Sequence, residues 1–288
     1  MKQFVENKLL SDLCTFGIGG PARYYVEVHS VEEMQEVLKE CKKRGLKYFI
    51  LGKGSNCLFD DNGFNGLVIH NKIDFMERPS PESFHVGGGY NFSLLGTQTA
   101  RQGYSGLEFA SGIPGTVGGA VFMNAGAGGS ETCVTLTSVD FVDEDGKHHV
   151  FKKENLVFSY RHSSFQKMPG AIVGATFVLS PSTTARDKQI EIITYRKRTQ
   201  PYSEMSAGCI FRNPNCGHAG ALIEKSGLKG LAIGGAKVSE IHANFIVNTE
   251  SASAANVLDL IAHIQKQVKE KQNVDLESEV RFIAYEQK

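Results

Sequence analysis

The spacing of hydrophobic residues along the chain predicts alternating helices and strands. In residues 31–44, apolar side chains from Met34 to Cys41 recur at the spacing of one helix face. Ser30 precedes this segment and Glu33 follows three residues later, which is the pattern of a capping box. We therefore predict that a helix begins after Ser30 and occupies residues 31–44.

The same two periodicities predict the remaining elements. Further helices are predicted at 92–102, 186–198 and 253–271, and strands at 47–51, 66–70, 83–86, 134–142, 171–179, 208–211, 244–248 and 279–285. The segment Pro181–Thr184 is the best candidate for a boundary. The pattern indicates an α+β protein with three units, which we place at residues 1–70, 71–182 and 183–288.

Composition restricts the class of protein. The chain has 288 residues with 31 Lys+Arg and 31 Asp+Glu, so its formal net charge is zero. A protein that coats nucleic acid needs a basic surface, so we expect no nucleic-acid partner. There is no run of about 18 apolar residues, and charge appears too early in the chain for a secretory signal. We expect a cytosolic protein that does not enter a membrane.

The cysteines do not follow a metal-binding or redox pattern. None of the six stands in a C-x-x-C pair, which excludes the common zinc and redox motifs. Without an export signal, reduced thiols are expected rather than disulfides. We therefore predict no metal site.

The familiar nucleotide-binding motifs do not fit. Residues 17–22 match G-x-G-x-x-A formally, but a dinucleotide fold needs a helix after this turn. Here Tyr24–Val28 follows, and its alternating pattern is that of a strand. No G-x-x-x-x-G-K-[ST] sequence is present, so a P-loop ATPase is not expected.

Glycine is enriched, and two glycine-rich segments follow predicted elements. The chain has 31 glycines in 288 residues, roughly 11% where about 7% is usual. The first segment is Gly52–Asn56 and the second is Gly112–Ala120. Successive backbone N–H groups in such turns can bind an anion such as a pyrophosphate. Two tight turns with close helix packing remain the alternative interpretation.

Three further segments combine polar and reactive side chains. Tyr160–Phe165 places a cation among hydroxyl groups, Ser206–Pro214 contains Cys209, and Glu279–Ile283 is an alternating strand. Taken singly, each is explained as well by a surface turn, a strand entering a turn, or an exposed strand residue. Spacing alone does not assign chemistry to any of them.

Together, these segments form a recognisable set. The chain resembles the UDP-N-acetylenolpyruvoylglucosamine reductase family, also called UDP-N-acetylmuramate dehydrogenases, in its shorter, second type. The matching segments run in order along nearly the whole chain: Thr15–Gly20, Gly52–Asn56, Gly112–Gly119, Asn124–Gly126, Tyr160–Phe165, Ala207–Pro214, Leu222–Gly230, His242–Asn248 and Glu279–Phe282.

The resemblance implies a fold and two ligands. The first two units form an FAD-binding domain of the vanillyl-alcohol-oxidase (PCMH) type, and the third is an α+β domain that binds the UDP-sugar substrate. FAD is the cofactor and NADPH the cosubstrate. The residues expected to bind FAD are Gly52, Lys53, Gly54, Ser55, Asn56, Gly112, Ile113, Pro114, Gly115, Thr116, Gly118, Gly119, Asn124, Ala125 and Gly126.

The resemblance also implies a reaction and its residues. The flavin, reduced by NADPH, delivers a hydride to the vinyl carbon of the enolpyruvyl sugar. Arg161 and Glu279 match the residues thought to stabilise the enol-like state, and Cys209 occupies the position of the proton donor. Tyr160, Gln200 and Asn213 are expected to contact substrate.

One departure from the family concerns the proton donor. The family usually has serine where this chain has Cys209. A thiol has a reference pKa of about 8.5, so it carries a proton at neutral pH and is a stronger acid than a hydroxyl. We therefore expect the reaction to survive this change.

Two alternatives follow from the same residues. One is a flavin oxidase of the same fold that acts on an alcohol or sugar, which the motifs of the third unit disfavour. The other is a flavin- or UDP-sugar-binding protein without catalysis, which the combination of Arg161, Cys209 and Glu279 disfavours. For the reductase we expect small-molecule partners only and a monomer.

Overall fold

The computed structural model describes residues 2–287. These residues form two compact units, each assembled from three separate segments of the chain. Unit 1 comprises residues 2–5, 25–53 and 66–196, and unit 2 comprises residues 6–24, 54–65 and 197–287.

The elements have the following bounds. The α-helices are α1 Val31–Arg44, α2 Phe92–Arg101, α3 Val117–Met123, α4 Ala185–Thr199, α5 Ala219–Lys225 and α6 Ala254–Gln272. The strands are β1 Val5–Leu9, β2 Pro21–Val28, β3 Tyr48–Leu51, β4 Cys57–Phe59, β5 Phe64–Asn71, β6 Met76–Ser80, β7 Ser83–Gly87, β8 Tyr104–Ser105, β9 Gly126–Ala127, β10 Ser130–Glu131, β11 Leu136–Asp143, β12 His148–Lys152, β13 Phe158–Ser159, β14 His162–Ser163, β15 Gly170–Val178, β16 Ser180–Pro181, β17 Met205–Cys209, β18 Ala232–Ile233, β19 Ala236–Val238, β20 Phe245–Asn248 and β21 Arg281–Ile283. Short 3-10 helices occur at Ser11–Leu13, Glu108–Ala110, Thr132–Val134, Lys153–Asn155 and Ser164–Lys167.

Unit 1 is built around an antiparallel sheet in the order β12-β11-β15-β7-β6. Its core contains fully buried aromatic rings from the sheet and from α2, among them Phe84, Phe92, Phe141 and Phe177. Side chains alternate across a strand, so one face of each strand reaches this core. In the same unit, β3 pairs in parallel with β5 and places Leu51 beside His70.

Unit 2 is built around the sheet β17-β20-β19-β18 and helix α6. Helix α6 places Val257, Ile261, Ile264 and Val268 in the core of the unit, as its helical periodicity predicts. β21 pairs in parallel with β4, so the last strand joins a segment from the first quarter of the chain.

The strongest sequence patterns predicted their elements correctly, with one difference in detail. Helix α1 occupies the predicted residues, and Ser30 Oγ accepts a hydrogen bond from the Glu33 N–H. The Glu33 carboxylate accepts from the His29 N–H instead of completing the predicted capping box at Ser30. In residues 2–287, no helix combines the length and apolar character that a membrane span needs.

Candidate active site

The two predicted glycine segments touch each other inside unit 1. Gly52 directly follows β3, and a Cβ atom at this position would lie 2.5 Å from Thr116 Oγ1. Such a separation is shorter than any real contact, so the backbone of the first segment approaches Thr116 only because residue 52 is glycine. The structure therefore brings Gly52 and Thr116 together, as a shared cofactor site requires.

The second glycine segment leads into helix α3. Thr116 is the N-cap of this helix, and its Oγ1 accepts from the Gly119 N–H at 3.3 Å. The Gly118 N–H donates to the Gly88 carbonyl at 2.8 Å, and a Cβ atom at Gly118 would lie 3.0 Å from the same oxygen. Close packing against the backbone at Gly88 explains why residue 118 is glycine. This agrees with the alternative interpretation of the glycine segments as tight turns with close helix packing.

The start of α3 also fits an anionic group. In the part of the chain that the structure describes, the backbone N–H groups of Gly115 and Thr116 donate to no protein acceptor. Gly119 is exposed, and the space at its Cβ position holds only Thr116 Oγ1, at 3.5 Å. Available N–H groups at a helix start bind phosphate. The residues present therefore fit the pyrophosphate of FAD.

A buried histidine, His70, lies beside the first glycine segment, and no pattern in the sequence predicts it. The His70 side chain lies next to the Gly52 backbone, and its Nδ1 is 2.8 Å from the Tyr25 hydroxyl. Burial, with a smaller contribution from Lys72, lowers the pKa of His70 to about 4. His70 is therefore neutral at physiological pH. Only the three-dimensional pairing of β3 with β5 reveals it.

Asn124 links the end of α3 to the predicted catalytic loop. It ends the helix in a left-handed conformation with φ 42°, and its amide donates to the Ser159 carbonyl at 3.0 Å. Its side-chain oxygen accepts from the Cys133 N–H. Asn124 is fully buried, so these contacts give it a structural role next to Tyr160.

Arg161 is held in an uncommon backbone conformation within unit 1. Its φ is 57°, in the left-handed region that residues other than glycine rarely adopt. Its guanidinium lies over the Tyr160 ring at 4.9 Å from the centroid, and its carbonyl accepts from the Gln166 amide. Such strain is characteristic of functional sites, where surrounding contacts hold it in place.

Cys209 and Glu279 are brought together in unit 2. Cys209 ends β17 opposite Phe245, immediately after a register shift that contains Gly208 at φ 77°. The carbonyl of the next residue, Ile210, accepts from the Glu279 N–H at 2.7 Å. A β-bulge redirects side chains next to active sites. The two predicted catalytic positions thus lie on hydrogen-bonded neighbouring segments.

The end of the first glycine segment is hydrogen-bonded to Glu279 and to the start of β21. The Asn56 amide donates to the Glu279 carbonyl at 3.3 Å, and the Asn56 carbonyl accepts from the Arg281 N–H at 3.1 Å. Among residues 2–287, no protein group accepts from the backbone N–H groups of Gly54 and Ser55, whereas the Asn56 N–H donates to the Cys57 thiol. Unit 2 therefore gathers a set of backbone donors next to Glu279.

The other predicted residues are placed as follows. Asn213 accepts from the Ala219 N–H at 3.0 Å, at the start of α5, and its side chain is exposed. Gln200 is half-buried and precedes β17. Both lie in unit 2, whereas Tyr160 and Arg161 lie in unit 1.

A metal-binding cluster is not found in the described part of the chain. No group of three or more His, Cys, Asp or Glu side chains among these residues could hold a metal ion.

Comparisons with known proteins identify the families that the two domains match. Residues 22–152 match the family described as FAD binding domain, and residues 200–283 match that described as UDP-N-acetylenolpyruvoylglucosamine reductase, C-terminal domain. The UDP-N-acetylenolpyruvoylglucosamine reductase of Protochlamydia amoebophila is 61% identical over 284 residues, which cover 99% of this chain and 95% of the relative. The enzyme of the same name from Chlamydia muridarum is 50% identical over 281 residues, which cover 98% and 95% of the two chains.

Solved structures show the same relationship. The crystal structure of the reductase from Thermus caldophilus superposes with a TM-score of 0.84 and 37% identity, covering 98% of this chain and 99% of that chain. p-Cresol methylhydroxylase superposes with a TM-score of 0.53 at 12% identity, covering 92% and 82% of the two chains, which shows the fold alone.

The fold class predicted from the sequence is confirmed. The chain combines an FAD-binding domain with the C-terminal domain of the reductase, in a mixed α+β structure. Its length fits the shorter type. With 61% identity over nearly its full length, the chain belongs to the UDP-N-acetylenolpyruvoylglucosamine reductase family.

Proposed function

We propose that this chain reduces UDP-N-acetylglucosamine enolpyruvate to UDP-N-acetylmuramate, with FAD as cofactor and NADPH as cosubstrate, in peptidoglycan precursor synthesis. Family membership supports the reductase activity and the FAD-binding domain. It also disfavours the two alternatives, an oxidase of the same fold and a binding protein without catalysis. The observation that best supports the mechanism is the hydrogen bond between the Ile210 carbonyl and the Glu279 N–H, since Cys209 directly precedes Ile210 in the chain.

The glycine segments provide the cofactor site in this proposal. In unit 1, the N–H groups of Gly115 and Thr116 are donors for the FAD pyrophosphate. In unit 2, the N–H groups of Gly54 and Ser55 and the side chain of Asn56 are further FAD contacts in this proposal. Lys53 adds a positive charge, and the neighbouring residues Gly112, Ile113, Pro114, Gly118 and Gly119 shape the second turn. Asn124, Ala125 and Gly126 hold the end of α3. When bound, FAD supplies the hydride for the reaction.

Three side chains act on the substrate. The Arg161 guanidinium pairs with the substrate carboxylate, for which its fixed fork of donors is suited. Glu279 acts in its protonated form, because an ionised carboxylate would repel an enolate. The Cys209 thiol gives its proton to the carbon next to the carboxylate.

Substrate recognition and assembly complete the proposal. Tyr160, Gln200 and Asn213 contact the UDP-sugar. The protein works in the cytoplasm as a monomer, with small molecules as its partners. The predicted division at residues 70 and 182 stays a prediction.

The simplest experiment follows the colour of the purified protein. We expect it to be yellow, to bleach when NADPH is added without oxygen, and to recover its colour when the enolpyruvyl sugar is added. A protein that bleaches but recovers only with oxygen would support the oxidase alternative. A protein reconstituted with FAD that never bleaches with NADPH would contradict the proposal.

A further inference from the structure

Helix α4 belongs to neither of the two matched domains, yet it reaches the second glycine segment. The matched regions are residues 22–152 and 200–283, and α4 occupies Ala185–Thr199 between them. Near its end, Arg196 donates from Nη2 to the Gly112 carbonyl at 3.2 Å. Both residues lie in unit 1.

Burial of α4 does not explain this contact. The buried residues of the helix are Ala185 and Gln189, close to its start. Ile190 and Tyr195 are 45% and 60% exposed. Near the end of α4, where Ile192 and Ile193 are only half-buried, Arg196 adds a polar contact with Gly112.

The contact determines the orientation of the glycine segment at its first residue. The Gly112 N–H donates to Ser93 Oγ at 2.6 Å, while the Gly112 carbonyl accepts from Arg196. Gly112 has φ 86°, so its conformation is open to few other residues. With both backbone groups held, the chain that continues toward Thr116 starts from a defined direction.

The contact also changes the local electrostatics. A carbonyl oxygen carries partial negative charge and would repel a nearby anion, whereas a guanidinium that binds it adds a full positive charge. The residues that follow Gly112 in the chain lead to Gly115 and Thr116, whose backbone N–H groups are available. A cation at Gly112 therefore favours an anion at the start of α3.

We propose that Arg196 is a positioning residue for the dinucleotide cofactor: its guanidinium fixes the Gly112 carbonyl and adds positive charge beside the site of the pyrophosphate. This inference rests on the proposed function, in which the second glycine segment binds FAD. It assigns part of the cofactor site to a helix outside both matched domains.

The test measures FAD binding to the protein freed of flavin, by quenching of FAD fluorescence. We expect Arg196→Gln to raise the Kd for FAD about tenfold, in line with loss of one charge-assisted hydrogen bond. Arg196→Lys keeps the charge but loses the planar fork, so we expect a rise of about threefold. Arg198→Gln is the matched control, since Arg198 is exposed on the same helix, and it should leave the Kd unchanged.

Salt dependence separates an electrostatic role from a purely structural one. Salt screens the attraction between Arg196 and a pyrophosphate, so the Kd of the unmodified protein should rise more steeply with salt than that of Arg196→Gln. Arg198→Gln should keep the steep dependence. If Arg196→Gln does not fold, judged by circular dichroism, the Kd of Arg196→Lys decides: a rise of about threefold supports the inference, and an unchanged Kd overturns it.

The outcomes distinguish this inference from the proposed function. If the unmodified protein binds no FAD, the proposed function fails. If it binds FAD but Arg196→Gln stays within twofold of it, or Arg198→Gln weakens binding equally, the inference about Arg196 is overturned. An unchanged salt dependence in Arg196→Gln would also overturn it.

Discussion

At the scale of single residues, Cys209 is the most informative position. The thiol of cysteine and the hydroxyl of serine can both donate a proton, but the methyl group of alanine cannot. General acid catalysis contributes about 10²–10⁴-fold to a rate. We therefore expect Cys209→Ser to keep the reduction of the enolpyruvyl sugar. Cys209→Ala should slow that half-reaction by about 10²–10⁴-fold and leave flavin reduction by NADPH intact.

Anaerobic stopped-flow absorbance follows the two half-reactions separately. The matched control is Cys216→Ala, because Cys216 is an exposed cysteine of the same unit, and both of its half-reactions should match the unmodified protein. Normal sugar reduction in Cys209→Ala would show that the proton comes from another group.

Residue-scale chemistry was only partly predictable from the sequence. The motif around Cys209 singles out that residue through its resemblance to the family. Arg196 and His70 carry no such signal, because each acts on a residue distant in the chain: Gly112 is 84 positions from Arg196. Only folding brings these partners together, so short-range patterns do not reveal them.

At the scale of elements, a substitution at Gly119 in α3 should affect stability and cofactor binding in opposite ways. Alanine in a helix is more stable than glycine by up to about 1 kcal/mol, and the Cβ position at Gly119 is open. We expect Gly119→Ala to melt at the same or a higher temperature without flavin. The same methyl group would fill the space at the start of α3, so the Kd for FAD should rise about tenfold.

The contrasting variant is Gly96→Ala in α2. There a Cβ atom would lie 2.4 Å from the Leu107 carbonyl, so we expect a loss of about 1–3 kcal/mol in the free energy of unfolding. Thermal melting without flavin and fluorescence titration with FAD test both variants. Unchanged FAD affinity in Gly119→Ala would contradict the placement of the pyrophosphate at α3.

The main sheet of unit 1 contains an ion pair that makes its stability depend on pH. His85 Nε2 on β7 lies 3.0 Å from Asp140 Oδ2 on β11, across Gly174 of the central strand. The hydrogen bond with Asp140 raises the pKa of His85. Although burial opposes it, hydrogen bonds and charges from His85 and His148 lower the pKa of Asp140.

The directions of these two pKa shifts determine how the contribution of the ion pair to folding stability changes with pH. The part due to His85 is complete below its ordinary pKa of 6.5 and is lost as pH rises through the raised value. The part due to Asp140 is complete above its ordinary pKa of 3.8 and is lost only in acid. Asp140→Asn should therefore cost about 1 kcal/mol near pH 5.5 and less near pH 8.5.

Urea unfolding of the protein without flavin, at about pH 5.5 and pH 8.5, measures this difference. Glu77, 3.7 Å from His85, and His148, 3.1 Å from Asp140, also face the pair and remain in both proteins. Asp145→Asn is the control, because Asp145 pairs with Lys42 rather than a histidine, and its cost should be equal at both pH values. An equal cost for Asp140→Asn would contradict the assignment.

Elements with a strong local signal were predictable, and elements that depend on distant partners were not. Helix α6 has a clear apolar face and a full capping box at Ser253 and Asn256. Helix α3 has seven residues, two of them glycine, so its sequence favours a loop. The three-residue strand β4 forms because β21 pairs with it from the other end of the chain.

At the scale of the whole molecule, the path of the chain makes the C-terminal third dependent on the N-terminal third. The core of unit 2 contains Phe16, Ile18 and Leu58 together with residues beyond position 200. β21 also has its parallel partner in β4. A fragment that begins at the predicted boundary, residues 183–288, lacks all of these groups.

We therefore expect the fragment 183–288 not to fold alone. Burial of a large apolar side chain contributes about 1.5–3 kcal/mol, so loss of three removes roughly 5–9 kcal/mol, comparable with the whole stability of a typical domain. Circular dichroism and proton NMR of the isolated fragment should show a weakly structured chain without a cooperative transition, and co-expression with residues 1–182 should restore one. A cooperative transition in the isolated fragment would mean that its own side chains form a sufficient core. The early segments 6–24 and 54–65 would then be additions to unit 2 and not part of what makes it fold.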